Sequence, residues 1–217
     1  MIKSHVAAVI VLLTAFSGCA IFRPTVAVGQ SAPAWSFVAS DGGDSVRSSR
    51  LNGRPGMLVW MDPLCPQVEN ASQSGGPLRV LESRWNSTDS AWIYYVAARS
   101  FPDAVLKPSM WRPWLKEMKL RGSVLIDTSM SLAHKLGVRT VPTAVVIDAA
   151  GKVRWKGPVQ GLEREVVESL EDDTLETPPL PPLAPFASQA LDSVLAGRPL
   201  KVPSLRDTGC SIQETLW

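Results

Sequence analysis

Cys65 is the residue whose setting in the sequence points most clearly to chemistry. It follows a continuous apolar stretch, residues 57–61, and precedes Pro66, which suits the first position of a helix. A thiol at the start of a helix lies at the positive end of the helix dipole, which stabilises its thiolate, the nucleophile of thiol chemistry. We therefore expect Cys65 to be a reactive, accessible thiol. The alternative is an inert cysteine buried in the core.

The remaining composition narrows the classes of function. The chain has three cysteines, Cys19, Cys65 and Cys210, which are too few for a disulfide scaffold, and two histidines, too few for a His-rich metal site. A net charge of +2 with 19% charged residues excludes the electrostatic footprint of a nucleic-acid-binding protein. His134, beside Lys135, is interpreted as a surface residue and not as a metal ligand.

The first residues of the chain have the pattern of an export signal. Lys3 precedes an apolar run at residues 6–16, too short to span a bilayer, which needs ~20 residues. Ser17-Gly18-Cys19 resembles a bacterial lipobox, with Phe16 where an aliphatic residue is usual. This predicts cleavage before Cys19, its lipidation, and an extracytoplasmic protein anchored to the membrane. Ala20 does not resemble an inner-membrane retention signal, which favours the outer membrane. A plain signal peptide and an uncleaved anchor are the alternatives.

The rest of the sequence alternates predicted strands and helices. Strands are predicted at residues 33–39, 57–61, 91–98, 124–127, 143–148 and 153–156. Helices are predicted at 65–85 with an interruption at Gly75-Gly76, and at 109–120, 129–136, 160–172 and 186–196. Met110, Trp114, Leu115 and Met118 are placed on the apolar side of the helix predicted at 109–120. The pattern predicts an α/β fold with three layers, helices covering both faces of a central mixed sheet.

Composition shifts divide the chain into five predicted segments. They are a signal peptide (1–19), a tether (20–31), an α/β domain (32–175), a proline-rich connector (176–185), and a final helix with the tail that carries Cys210 (186–217).

The order of these motifs resembles the thioredoxin superfamily, and within it the redoxin or AhpC/TSA branch. The matching stretches are Val28-Gly29-Gln30-Ser31-Ala32-Pro33, the strand into Cys65-Pro66, Ile126-Asp127 through Val138, Thr140-Val141-Pro142-Thr143, Val146-Ile147-Asp148 and Gly151-Lys152-Val153. The likeness covers residues 28–157. The tail, with Gly209-Cys210-Ser211-Ile212, is similar to a subgroup of extracytoplasmic redoxins that pair one Cys-Pro site with a C-terminal Gly-Cys segment.

This resemblance implies a thioredoxin-like fold and a thiol-disulfide oxidoreductase. Cys65 would be the nucleophile, and a cis Val141-Pro142 bond would lie beside it. Pro66, Val141, Pro142 and Thr143 would shape the substrate groove. The resemblance implies no bound cofactor, since the chemistry belongs to sulfur, and its partners would be protein disulfides and a reducing thiol protein. Cys210 would be the resolving cysteine; a static disulfide with Cys65 and an unpaired tail thiol are its alternatives.

Three departures from known motifs leave other functions open. Val68 occupies the second cysteine position of Cys-x-x-Cys, which excludes a two-cysteine cycle within one helical turn. Leu58 and Asp62 replace the proline and threonine of the peroxiredoxin motif, and Asp62 near a thiolate would raise the pKa of the thiol. A thiol peroxidase acting on hydroperoxides is therefore the alternative enzyme. A metal-delivery module of the same fold is the second alternative, but Glu69 replaces the second cysteine that such modules need, and it is interpreted as a solvated residue. A non-catalytic binding module is the third alternative.

Overall fold

The computed structural model describes residues 25–42, 44–85, 90–100, 108–161, 185–200 and 209–213. The predicted signal peptide with Cys19, residues 176–184 of the proline-rich connector and residues 162–172 of one predicted helix lie outside these ranges. Gln160 and Gly161, where that helix was predicted to begin, are described and are not helical. Within the described ranges, no helix has the length and apolar character needed to cross a bilayer.

The core of the molecule is a five-stranded mixed sheet flanked by two small ladders. The strands are β1 Ser36–Phe37, β2 Val46–Arg47, β3 Gly56–Met61, β4 Trp92–Ala97, β5 Val124–Ile126, β6 Thr140–Val141, β7 Thr143–Ile147, β8 Val153–Pro158 and β9 Cys210–Ser211. The order in the main sheet is β5-β4-β3-β7-β8. Strands β3, β4 and β5 run parallel to one another, β7 runs antiparallel to β3, and β8 runs antiparallel to β7. The pairs β1–β2 and β6–β9 form the two ladders.

Within the described ranges, five α-helices cover the sheet: α1 Pro66–Ser72, α2 Pro77–Trp85, α3 Pro108–Glu117, α4 Ser131–Leu136 and α5 Phe186–Leu195. Right-handed crossovers from β3 to β4 and from β4 to β5 place α1, α2 and α3 on one face. Arg79 Nη1 donates to Met118 O, just after α3, at 2.8 Å, and Arg84 pairs with Asp192 of α5 at 3.0 Å. Helix α4 lies beside the N-terminal segment, where the N–H of Val26 donates to Lys135 O at 2.8 Å. The predicted thioredoxin-like α/β fold with a central mixed sheet is confirmed.

The central strand, β3, sets the position of Cys65. All six of its residues are buried, as expected for a strand with neighbours on both edges and helices over its faces. The chain leaves β3 at Met61, makes a short turn, and enters α1 at Pro66. Gly75-Gly76 separates α1 from α2, and the hairpin of β7 and β8 forms where it was predicted.

Two local predictions were wrong. The early strand predicted over residues 33–39 is only the two-residue β1. Met110, assigned to the apolar face of α3, is 46% exposed, whereas Trp111 is 1% exposed and packs in the core with Leu115 one turn later. Both residues are apolar, so spacing alone did not fix the rotation of this helix; the larger ring buries more surface and takes the inner position.

Tyr95 provides a test of the packing between β4 and α2. Its hydroxyl donates to the buried Glu82 carboxylate at 2.9 Å, and burial, reinforced by Glu82, raises the pKa of Tyr95 well above its ordinary value. The folded state therefore holds this proton more tightly than the unfolded state. The resulting stabilisation is complete below the unfolded pKa of about 10 and is lost as the pH rises further. We expect the urea midpoint to fall more steeply above about pH 10 in the native protein than in Tyr95→Phe. Parallel pH profiles would contradict this.

Candidate active site

Cys65 lies at the junction between β3 and α1, as the N-cap residue of the helix. Its own N–H donates to Asp62 O at 3.0 Å, and its carbonyl accepts the N–H groups of Val68 and Glu69 at 2.9 and 3.1 Å. Pro66 takes the first helical position, where a missing N–H leaves no acceptor unsatisfied. The backbone of Cys65 is thus held from both sides, while its side chain makes no capping bond.

Asp62 holds the turn that presents Cys65. Its carboxylate is 1% exposed, and accepts the N–H of Leu64 on Oδ1 at 2.9 Å and the N–H of Ser100 on Oδ2 at 2.6 Å. The side chain therefore ties the turn after β3 to the segment after β4. Its effect on the pKa of the Cys65 thiol stays a prediction.

Removing this carboxylate is expected to loosen the turn. Asp62→Ala would leave two N–H groups without their acceptor, which costs about 1–3 kcal/mol for each group that stays buried. Asp62→Asn keeps one oxygen, and its free energy of unfolding is expected to fall by about half as much. Urea unfolding of the oxidised proteins measures both changes. Equal stability of Asp62→Ala and the native protein would show that water replaces the carboxylate and that it does not hold the turn.

The Val141-Pro142 turn lies against the cysteine. The peptide bond between these residues is cis, as the resemblance implied. The carbonyl oxygen of Val141 is 3.5 Å from Cys65 Sγ, within reach of a thiol donor. Val141, Pro142 and Thr143 are all buried, and Pro142 O accepts the N–H of Val159 at 3.3 Å. The Val141 backbone therefore forms one wall beside the sulfur.

A C-terminal strand completes the site. Cys210 is joined to Cys65 by a disulfide, with an S–S distance of 2.07 Å and a Cα–Cα distance of 6.0 Å. Strand β9 pairs antiparallel with β6, and Cys210 lies opposite Val141 in the register. The N–H of Ile212 donates to Arg139 O at 2.7 Å. The tail is therefore added as a strand along the edge of the proline turn.

Beyond β9 the tail crosses to the other side of Cys65. Gln213 donates through its backbone N–H to Arg99 O at 2.8 Å and through Nε2 to Ser100 O at 3.0 Å. Ser100 is also the residue that Asp62 holds. The tail thus runs over the site from the proline turn to the end of β4.

The burial of the two cysteines differs. Cys65 is 0% exposed and Cys210 is partly exposed. The expectation that Cys65 is accessible is therefore wrong for the disulfide form, because the tail and the Val141 turn cover it. Of the two bonded residues, Cys210 is the one that solvent reaches.

Other residues singled out in the sequence lie on the surface of the molecule. Pro66 and Glu69 are exposed, and Glu69 contacts Cys65 through its backbone N–H. His134 is exposed on α4. Among the described residues, no group of three or more His, Cys, Asp or Glu side chains could hold a metal ion.

Several residues of the site were not found from the sequence. They are Arg99, Ser100, Arg139 and Gln213, which act through backbone atoms or through one amide side chain. The dipeptide Gly209-Cys210 was the one signal of this contact in the sequence. Backbone acceptors leave no trace in residue type, which explains why the others were missed.

Known structures share the fold of this chain. The chain is similar to an uncharacterized conserved protein from Geobacillus kaustophilus, with 18% identity, a TM-score of 0.65, and 87% of this chain and 93% of that chain covered. A hypothetical protein from Sinorhizobium meliloti is similar at 14% identity and a TM-score of 0.65, with 88% and 97% covered. The fold is thioredoxin-like. A thiol-disulfide oxidoreductase from Bacteroides fragilis aligns at 19% identity over 58% of this chain and 89% of that chain, with a TM-score of 0.48, too low to support an argument about activity. Neither the models of known protein families nor the sequences of curated proteins gave a match.

Proposed function

We propose that the protein is a thiol-disulfide oxidoreductase, in which Cys65 is the nucleophile and Cys210 the resolving cysteine. The observation that carries this proposal is the disulfide between them at the cis-proline turn, with Cys210 on a two-residue strand that closes the site. In this proposal Val141, Pro142 and Thr143 would line the groove around the reacting sulfurs, and Pro66, exposed at the start of α1, would lie at its rim.

The cycle begins with reduction of the Cys65–Cys210 disulfide. A thiolate of an external reductant attacks Cys210 Sγ, because Cys210 is the more exposed cysteine, and forms a mixed disulfide with it. The electron pair of the broken bond leaves on Cys65 Sγ, at the N-terminus of α1. A second thiol of the reductant then attacks its own sulfur in the mixed disulfide and releases Cys210 as a thiolate. The protein gains two electrons, and the reductant becomes a disulfide.

Reduced Cys65 then acts on the substrate. Its thiolate attacks one sulfur of a substrate disulfide, forms a mixed disulfide, and expels the other sulfur as a thiolate. Cys210 attacks Cys65 Sγ in this intermediate, so the second substrate sulfur leaves as a thiolate and the internal disulfide returns. A solvent proton neutralises each thiolate that is not used.

The attachment of the tail suits a reversible role for the disulfide. Apart from the disulfide, its described contacts are a two-residue ladder, the packing of the partly buried Ile212 against the core, and three hydrogen bonds, from Ile212 N–H, Gln213 N–H and Gln213 Nε2. Such a short ladder separates from its neighbour at low cost, since a two-stranded pairing is marginal in water. Opening the disulfide would therefore free Cys210 to move between Cys65 and a reductant.

The partners and the location follow from the chemistry and the N-terminal pattern. The proposal needs a protein disulfide as substrate and a thiol protein as reductant. With Cys19 as a lipidated N-terminus, the domain would lie outside the cytoplasm, at the outer membrane, where disulfides persist. Cys19 would then take no part in the cycle.

The test is turnover of a protein disulfide. Insulin reduction by dithiothreitol is expected to accelerate at least about tenfold with the native chain, and equally with a Cys19→Ser chain. A rate equal to that with dithiothreitol alone would overturn the proposal. Hydrogen peroxide provides the second arm: consumption no faster than by free cysteine is expected. Faster consumption without insulin reduction would replace the proposal with a thiol peroxidase.

A further inference from the structure

Gly209 is the point at which the tail comes closest to the proline turn. Its φ of +138° lies in the region that favours glycine, and a Cβ built on it would lie 2.2 Å from Val141 O and 2.9 Å from Val141 C. The obstacle is backbone, held by the buried turn, so it cannot rotate away as the end of a long side chain could. A residue with a side chain at this position would have to push the tail away from β6.

Among the described glycines with positive φ, only Gly209 has backbone atoms within 3 Å of an added Cβ. Gly53, Gly151 and Gly197 also have positive φ, but an added Cβ there would meet no atom within 4 Å. Gly209 is thus constrained by both conformation and space, because the residue before the bonded cysteine lies directly over the Val141 carbonyl.

Most other described contacts of the tail do not depend on its side chains. The β6–β9 ladder and the N–H bonds of Ile212 and Gln213 are backbone interactions that an extended segment of any sequence can form. Ser211 is exposed, opposite Thr140 in the register. Two side chains add contacts: Ile212 packs against the core, and Gln213 Nε2 donates to Ser100 O.

We propose that the Val141 carbonyl makes this site selective for an extended cysteine peptide with glycine immediately before its cysteine. An amide three residues after the cysteine would add a weaker preference. The inference rests on the proposed function, since it concerns which partner the Cys65 sulfur accepts. The tail itself carries the preferred pattern, Gly-Cys-Ser-Ile-Gln at residues 209–213, and so is the internal competitor for the groove.

Synthetic peptides test this selectivity directly. The full chain would carry Cys19→Ser and Cys210→Ser, which leaves Cys65 as its one thiol. Thr-Gly-Cys-Ser-Ile-Gln and Thr-Ala-Cys-Ser-Ile-Gln would each be supplied as a mixed disulfide with thionitrobenzoate. Attack by the Cys65 thiolate on the peptide sulfur forms the new disulfide and releases coloured thionitrobenzoate. We expect the glycine peptide to react at least about tenfold faster, a difference of about 1.4 kcal/mol. Equal rates would overturn the inference.

A substitution within the chain provides the second arm. Gly209→Ala is expected to lower the equilibrium constant for forming the Cys65–Cys210 disulfide against glutathione by at least about tenfold. Gly197→Ala is the matched control, because it also adds a methyl group at positive φ but meets open space. An unchanged equilibrium constant in Gly209→Ala, or an equal loss in both variants, would contradict the inference.

The two levels of the proposal fail in different ways. If Cys65 reacts with both peptides at the same rate, the selectivity is refuted and the proposed oxidoreductase stands. If Cys65 reacts with neither peptide nor with a small aromatic disulfide under native conditions, the proposed function fails, and the selectivity fails with it.

Discussion

Cys65→Ser is expected to reduce the rate of insulin reduction to that of dithiothreitol alone. The hydroxyl of serine does not ionise near neutral pH and does not attack a disulfide, so neither half of the cycle can begin. Cys210→Ser is expected to behave differently, because Cys65 still attacks the substrate. Without a resolving thiol, the mixed disulfide accumulates at one per chain and can be read by mass spectrometry.

The two variants are matched controls for each other. Each lacks the internal disulfide, so each loses the same covalent link between the tail and the domain. A difference between them therefore reports chemistry and not stability. Equal activity of Cys65→Ser and the native protein would refute the nucleophile assignment. Trapping of substrate on Cys210 in Cys65→Ser would reverse the two roles.

Reduction of the disulfide is expected to lower the free energy of unfolding by about 2–5 kcal/mol. The two cysteines are 145 residues apart, so the link closes a very long loop in the unfolded chain, which favours the upper end of this range. The measurement is urea unfolding of the native chain with and without a non-thiol reductant. Cys65→Ser, measured in both buffers, shows any effect of the reductant itself.

The reduced protein is nevertheless expected to stay folded. The tail contributes no strand to the five-stranded sheet, because β9 pairs with β6 outside it, and its described apolar contacts with the core come from two partly buried residues, Cys210 and Ile212. Retention of the far-ultraviolet spectrum with a lower urea midpoint is the expected outcome. A change below about 1 kcal/mol would mean that the link does not constrain the unfolded chain as proposed.

Much of the fold could be predicted from local patterns. The apolar run that became β3, the glycine pair between α1 and α2, and the β7–β8 hairpin are each specified by neighbouring residues. The place of Cys65 at a strand-to-helix junction and the cis bond before Pro142 were also predicted, the second from the family resemblance.

The site itself depends on contacts between distant segments. The pairing of Cys210 with Val141 joins two short segments far apart in the chain, and two residues are too few to show a period. The burial of Cys65 follows from that pairing. The sequence pattern predicts no strand in the tail, so it could not predict that the tail covers Cys65. Asp62 was interpreted through its charge, whereas its observed contacts are the N–H groups of Leu64 and Ser100.

The most direct test of a working Cys65–Cys210 couple is its redox equilibrium in the folded protein. Native protein would be equilibrated in a series of thiol-disulfide buffers, alkylated, and mapped by mass spectrometry. We expect a two-electron transition between about −120 and −270 mV, the span of known thiol-disulfide oxidoreductases. A disulfide that persists below about −300 mV, and that opens only when the protein is unfolded, would contradict the proposal and assign the link a purely structural role.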